Sequence, residues 1–170
     1  MIKIFHLKSY QPETCANEYI RQLRKTENLI LKYNNYSSFP RLYYRLLVYF
    51  ADRKLQLLGC KYNLDIGLFS CKDGLKIWHI AGGVVINMNA RIGKNLSLHG
   101  CNCIGNDGIH PKIAPRIGNN VHLGFGASVI GDVTLADNIW VAAGAVVVTS
   151  FDEPGIVIGG IPARKIKNIK

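Results

Sequence analysis

The strongest constraint on the fold of this chain is a repeat of six residues in its second half. Residues 117–150 divide into the hexads IGNNVH, LGFGAS, VIGDVT, LADNIW and VAAGAV, followed by VVTS. Every hexad opens with an aliphatic residue, and its fifth position is also small or aliphatic. A period of six excludes an α-helix, which repeats every 3.6 residues, and a simple strand, which alternates every two.

The same frame continues upstream and is interrupted once. Residues 80–105 read IAGGVV, INMNAR, IGKNLS and LHGCNC, then IG, so that Ile80 is the first opener of this block. The next opener after Ile104 is Ile117, which is 13 residues away instead of six. The seven inserted residues, near 106–116, include glycine, aspartate and proline. We expect them to project as a loop.

A repeat of this kind predicts a coil of three short strands joined by tight turns. Stacking such coils buries the hexad openers in a continuous apolar ladder. The sequence therefore predicts a mainly β fold, a parallel β-helix over residues 60–170. A helical extension over residues 1–59 precedes it.

The extension is predicted to contain two helices, over residues 13–33 and from Phe39 to about Leu58, because apolar residues recur at helical spacing. The second helix also carries a row of basic residues. Two interpretations of this basic face stay open: contact with a membrane or a lipid-linked saccharide, and packing across the top of an oligomer. The basic residues are Arg41, Arg45, Arg53 and Lys54.

Composition limits the classes of partner. The formal net charge of +10 fits a polyanionic ligand or an anionic membrane surface. No module typical of nucleic-acid binding is visible, so we expect no nucleic-acid partner. The chain has no apolar run long enough to span a bilayer. Its first 13 residues show no secretion signal, so a cytoplasmic location is expected, including the inner face of the membrane.

The five cysteines are an odd number without the spacing of a disulfide framework, and we expect reduced thiols. Cys101 and Cys103 have the spacing of half a metal site. No second Cys or His pair stands at zinc spacing, so no metal is expected.

Over residues 60–170 the hexads resemble those of the hexapeptide-repeat acyltransferases, whose β-helix is left-handed. The segment GIVIGGIPARKIKNI is similar to the end of that family's domain. The order WHIAGGVVIN, LHGCNCIGN, PRIGNNVHLGFGASVIGDV resembles serine acetyltransferases and the O-acetyltransferases of surface-polysaccharide clusters. The resemblance implies a homotrimer, with active sites in grooves between neighbouring coils and acetyl-CoA lying along the helix.

His79 is the main catalytic candidate, because it matches the catalytic histidine that the resemblance implies. A neutral imidazole can take the proton of a hydroxyl group as that group attacks a thioester. In the hexad frame His79 occupies the sixth position, which points outward. The alternative is an ordinary surface histidine.

Three further residues are weaker catalytic candidates. Asp65, 14 residues before His79, matches the family's orienting aspartate only with a one-residue gap, and a turn aspartate is the alternative. His110, in His-Pro-Lys-Ile, reproduces a tetrapeptide around the second histidine of serine acetyltransferases, but the following hexads align that histidine with Ala114. Either a shifted loop brings His110 to the site or the tetrapeptide is a coincidence. His99 lies on a coil and may equally be structural.

By the same resemblance, coenzyme A (CoA) is expected to lie against small residues and its phosphates to meet basic ones near the end of the chain. Glycine is also what tight turns require, and a basic tail can simply be solvated. The predicted CoA-binding residues are Gly124, Gly126, Ala142, Ala143, Arg164 and Lys165.

Two differences from serine acetyltransferases bear on the acceptor. Those enzymes bind the serine amine with an aspartate before the catalytic histidine, where this chain has Trp78. They bind the carboxylate with an arginine before the second histidine, where this chain has Ile109. A zwitterion buried without charged partners is costly. The sequence therefore predicts an O-acetyltransferase acting on a sugar or polysaccharide precursor, with serine O-acetylation as the alternative.

Overall fold

The computed structural model describes residues 12–37 and 39–169; the segment examined above for a secretion signal lies mostly outside them. Two helices come first, α1 (Pro12–Asn35) and α2 (Phe39–Tyr62), followed by 14 short strands. Both predicted helices are present, and α2 continues four residues beyond Leu58. No helix in the described ranges is long and apolar enough to cross a membrane. All five cysteines are free thiols.

The strands form three sheets, which are the three faces of a triangular prism. Sheet A contains Leu64–Ile66 (β1), Val84–Ile86 (β3), Asn102–Gly105 (β6), Ser128–Ile130 (β9) and Val146–Val147 (β12). Sheet B contains Arg91–Ile92 (β4), Arg116–Ile117 (β7) and Thr134–Leu135 (β10). Sheet C contains Lys76–Ile77 (β2), Ser97–Leu98 (β5), His122–Leu123 (β8), Trp140–Val141 (β11), Ile156–Gly160 (β13) and Ala163–Asn168 (β14).

The register of the strands shows how the coils stack. Every pair is parallel except β13–β14, which closes sheet C as an antiparallel edge. Leu98 lies over Leu123, and Leu123 lies over Val141, all three buried in the interior of the prism. Ile86, Ile104 and Val129 align in the same way on sheet A. The predicted β-helix with an inward aliphatic ladder is therefore confirmed.

The first coil departs from the hexad frame. On sheet C the residue that stacks on Leu98 is Ile77 and not the predicted opener Ile80, which lies in the turn after β2 and is only partly buried. The step from Ile77 to Ile86 is nine residues, so this turn holds three more residues than a regular one. As a result His79 stands in a turn and not at the sixth position of a hexad.

Three edges separate the sheets, and each is a column of turns. The C–A edge joins sheet C to sheet A, the A–B edge joins sheet A to sheet B, and the B–C edge joins sheet B to sheet C. The predicted loop leaves the A–B edge between the end of β6 at Gly105 and the start of β7 at Arg116. On the B–C edge, Asn120 accepts a hydrogen bond from Asn95 and donates one to Asn138, which links three successive coils.

The two helices cover the first coil. Helix α1 packs between α2 and the prism, with Tyr19 and Leu23 buried. Polar contacts fix its position: the Tyr19 hydroxyl accepts a hydrogen bond from the Ile66 amide at 3.2 Å, and Arg24 donates to the Cys71 carbonyl at 2.8 Å. Because α1 lies inside, α2 is the outermost element at this end of the molecule.

The interior of the prism is only one side chain deep, so the loss of one ladder residue leaves a cavity that neighbours cannot fill. We predict that Leu123→Ala lowers the free energy of unfolding by about 2–5 kcal/mol. Urea denaturation at a fixed protein concentration measures this change. Val148→Ala, at a side chain 48% exposed, is the matched control and should change it by less than about 0.5 kcal/mol. Equal losses in the two variants would contradict the ladder.

Candidate active site

His79 lies at the top of the C–A edge, in the turn between β2 and β3. Its side chain is exposed and makes no hydrogen bond to any part of residues 12–37 and 39–169. Gly100, one coil below, has a φ of 107°, and a Cβ there would lie 2.7 Å from the His79 carbonyl oxygen. The glycine therefore lets the next coil pass directly beneath the histidine, whose ring stays free to meet a substrate.

Below His79 the C–A edge consists of small residues from successive coils. Gly124 and Gly126 lie in one turn, and Ala142 and Ala143 lie in the next. A Cβ at Gly124 would stand 2.5 Å from the Ala143 nitrogen, and Gly126 has a φ of 72°. Both glycines are thus required by the fold itself, so their presence alone does not indicate a ligand. The column is nevertheless an open groove of low side chains leading down from His79.

Asn102 holds this edge together from the inside. Its carbonyl oxygen accepts a hydrogen bond from the Gly100 amide at 2.9 Å, and its amide nitrogen donates to the carbonyls of Gly124 and Ala127 at 2.8 and 3.0 Å. The residue is 3% exposed. The sequence contained a signal for it that we did not use, since Asn102 occupies the fifth hexad position, where other coils have a small or aliphatic residue.

The loop at the A–B edge presents a second candidate group. The His110 Nδ1 lies 2.8 Å from the Asp107 carboxylate, which also accepts hydrogen bonds from the backbone amides of Ile109 and His110. The His110 ring and these amides lower the pKa of Asp107 to about 2. The carboxylate is therefore charged at neutral pH and favours the imidazole tautomer with hydrogen on Nδ1, which leaves Nε2 as a base.

Asp107 was not among the sequence candidates, although an aspartate three residues before a histidine in a loop is a recognisable pattern. Other contacts tie the loop to the A–B edge: Asn89 donates a hydrogen bond to the Pro111 carbonyl at 3.3 Å, and Gly131 approaches Asp107. Within one chain His110 and His79 therefore stand on different edges. The width of sheet A separates them, about 13 Å for a four-residue strand such as β6.

Asp65 lies on the outer surface of β1, paired in register with Val85. Its carboxylate is exposed and forms no hydrogen bond or ion pair to His79 in the described residues. It borders a cleft of about 790 Å³ between α2 and the first coils, which extends from Gly82 and Gly83 to Met88. The size is typical of a small-molecule site. The cleft begins at the turn that carries His79, so the two are neighbours.

A row of rings covers the outer face of sheet C. Trp78 stacks on His99 with ring centroids 5.9 Å apart, and its indole nitrogen donates to the Ser97 hydroxyl at 2.8 Å. One coil further, His122 packs on Trp140 at 4.8 Å. Burial lowers the pKa of His122, and the charges of His99 and Lys76 lower it further, so it is neutral at physiological pH. His99 is thus held against Trp78, away from the turn of His79.

The predicted phosphate-binding residues lie on β14. Lys165 is paired with both carboxylate oxygens of Glu153 at 2.7 Å, so its charge is already partnered, whereas Arg164 donates only to the Ala163 carbonyl. No group of three or more His, Cys, Asp or Glu side chains is placed to hold a metal ion in the described part of the chain.

The relatives of the chain agree with this arrangement. The protein named colanic acid biosynthesis acetyltransferase WcaB, from Escherichia coli K12, is 38% identical over 92 residues, which are 54% of this chain and 56% of WcaB. The serine acetyltransferase of Staphylococcus xylosus is 36% identical over 86 residues, or 50% of this chain and 39% of that protein. No family model matches the chain.

Among solved structures, the serine acetyltransferase of Neisseria gonorrhoeae superposes with a TM-score of 0.68 and 26% identity, covering 89% of this chain and 55% of that one. The chain is a relative of the hexapeptide-repeat acyltransferases. The resemblance in the hexads and the fold class, including the helical N-terminus, are thereby confirmed. The chain spans about half the length of the relatives it matches.

Because Asn102 satisfies three buried backbone groups at the C–A edge, we predict that Asn102→Ala lowers the free energy of unfolding by about 2–4 kcal/mol. Urea denaturation measures the loss, and hydrogen exchange should show faster exchange of the Gly100 amide. Asn106→Ala, which removes only exposed hydrogen bonds in the loop, should lower it by less than about 1 kcal/mol. If the two variants lose equal stability, Asn102 does not anchor the edge.

Proposed function

We propose that the protein is an acetyl-CoA-dependent O-acetyltransferase with His79 as its general base. The observation that carries the proposal is the C–A edge itself, where an exposed, unpartnered imidazole stands above a groove of small residues and beside a cleft. The names of the relatives support acetyl transfer as the reaction, since WcaB and the serine acetyltransferases share both sequence and coil architecture with this chain.

The proposed reaction is a direct transfer. The acceptor hydroxyl loses its proton to the neutral imidazole of His79 as its oxygen attacks the thioester carbonyl carbon. A tetrahedral intermediate forms, and backbone N–H groups of the C–A edge are suited to stabilise its oxyanion. The carbon–sulfur bond then breaks, and the departing CoA thiolate takes the proton from the imidazolium. The products are an acetyl ester and CoA with a free thiol.

Acetyl-CoA is proposed to lie along the C–A edge, with pantetheine on the low surface of Gly124, Gly126, Ala142 and Ala143. Such a position brings the thioester up to His79 and directs the phosphates towards the end of the chain. Arg164 is the better phosphate ligand of the two predicted, because Lys165 is already paired with Glu153. The net charge of +10 favours this polyanionic co-substrate.

A sugar hydroxyl is the acceptor that we propose. Trp78 is 40% exposed and lies directly before His79, where its indole can stack on a sugar face. Serine would need charged partners for its amine and its carboxylate. Trp78 and Ile109 occupy the positions where serine acetyltransferases supply them, and the Ile109 side chain is 78% exposed. The similarity to WcaB also favours a surface-polysaccharide precursor, with serine as the second candidate.

A homotrimer is part of the proposal, because one chain does not bring its histidines together. His79 and the Asp107–His110 pair lie on different edges, and both edges face outward. Packing the A–B edge of one copy near the C–A edge of the next would place the loop beside the CoA groove. The roles of Asp65, His99 and His110 in catalysis stay predictions.

The test is thiol release from acetyl-CoA, measured with a panel of sugars and with serine. We predict turnover with a saccharide, and a fall in kcat/KM of about 10²–10⁴-fold for His79→Ala, the range expected for loss of a general base. His122→Gln is the matched control, because His122 is an outward-facing imidazole on the same sheet. It should leave the rate close to that of the unchanged protein.

Two results would contradict the proposal. Full activity of His79→Ala in an oligomer of unchanged mass would remove His79 from the mechanism. Turnover with serine at ordinary concentrations, without turnover of any saccharide, would replace the sugar by serine as acceptor.

A further inference from the structure

Helix α2 carries an apolar surface that no described part of the chain covers. Its inner face, which includes Ala51, Leu55 and Leu58, is buried. The opposite side bears a second set of large apolar residues, here called the outer stripe, whose members are 53–67% exposed. The outer stripe consists of Leu42, Tyr43, Leu46, Tyr49, Phe50 and Leu57. A helix that is apolar on both faces is made to bury both of them.

In helical projection the outer stripe is continuous and has a defined shape. At 3.6 residues per turn its side chains fall within an arc of about 120°. From Leu42 to Leu57 it extends along the helix for about 22 Å, at 1.5 Å per residue. Large contiguous apolar patches of this kind are uncommon on the free surface of a soluble protein and mark sites of interaction.

Basic residues border the outer stripe on both sides. Arg41 and Arg45 project along one flank, Lys54 and Lys61 project along the other, and Arg53 falls within the stripe itself. The one acidic residue of α2 is Asp52, which is half-buried on the side of the cleft and accepts a hydrogen bond from Gln56. The exposed face of α2 is therefore apolar and cationic, with no carboxylate.

This pattern identifies the occupant by its charge. A second copy of α2 would bring five further cations against these five, and the centre of a protein interface is generally depleted of charged residues such as Arg53 lacking a partner. An anionic bilayer offers the opposite charge at its surface and apolar chains just beneath it. Arg and Lys reach phosphate headgroups while their aliphatic stems lie along the apolar region.

We propose that the outer stripe of α2 is a docking surface for an anionic lipid bilayer, on which the helix lies parallel to the membrane plane. The stripe residues enter the boundary between headgroups and acyl chains, and the flanking cations meet lipid phosphates. Because α2 is the outermost element, this orientation leaves the stack of coils on the aqueous side. Gln56 and Cys60 place one border of α2 on the cleft, so the cleft opens next to the membrane.

The experiment is sedimentation of the full-length protein with phosphatidylcholine vesicles, with and without phosphatidylglycerol. We expect binding to the anionic vesicles and much weaker binding to the neutral ones. Arg45→Gln with Lys54→Gln should weaken partitioning by about fivefold for each charge removed. Leu46→Ser with Phe50→Ser should weaken it by more than about tenfold. Val148→Ser, an exposed apolar residue on a distant coil, should leave it unchanged.

Light scattering and acetyl transfer to a soluble acceptor distinguish this proposal from its alternatives. Leu46→Ser with Phe50→Ser should keep both the oligomer mass and the transfer rate, since neither residue belongs to the proposed site. Absence of binding to anionic vesicles would overturn the proposal. A lower oligomer mass in this variant would also overturn it, because the stripe would then be a contact between copies. The result does not depend on whether the protein transfers acetyl groups.

Discussion

The inward ladder of aliphatic side chains is the interaction on which the rest of the structure depends. Leu98, Leu123 and Val141 stack at the centre of sheet C, and equivalent residues line the other two faces. Since hydrogen bonds between parallel strands fix each coil over the next, every turn lies directly above the corresponding turn of the following coil. The three edges of the prism are thus fixed columns, and a residue's place in the hexad decides which column or face it joins.

This dependence explains how much the sequence could predict. The hexads after Ile86 determine the ladder, because each aliphatic opener has only one inward position, and they correctly indicated a loop near residues 106–116. The first coil was misassigned, because Ile80 fits the frame as well as Ile77 does and only the pairing of Ile77 with Leu98 decides between them. The pair formed by Asp107 and His110 depends on loop conformation, which hexad periodicity does not determine.

The site depends on the ladder in the same way. Asn102 replaces an aliphatic residue in the interior and uses its amide to hold the turns of Gly100 and Gly124, so the edge that carries His79 is rigid where the groove begins. The outer face of sheet C, the loop at the A–B edge and the outer stripe of α2 are free of that constraint. They are the regions where this chain can differ from its relatives in acceptor and in partner without disturbing the coils.

The most direct measurement of the central claim is the affinity for CoA of variants that place a carboxylate on different edges. Ala143→Glu adds a negative charge to the groove below His79, whereas Lys94→Glu adds one at an exposed position on the B–C edge. Isothermal titration calorimetry should show CoA binding to the unchanged protein and to Lys94→Glu, and greatly weakened binding to Ala143→Glu. Equal affinity of all three proteins for CoA would show that the C–A edge is not where the co-substrate lies.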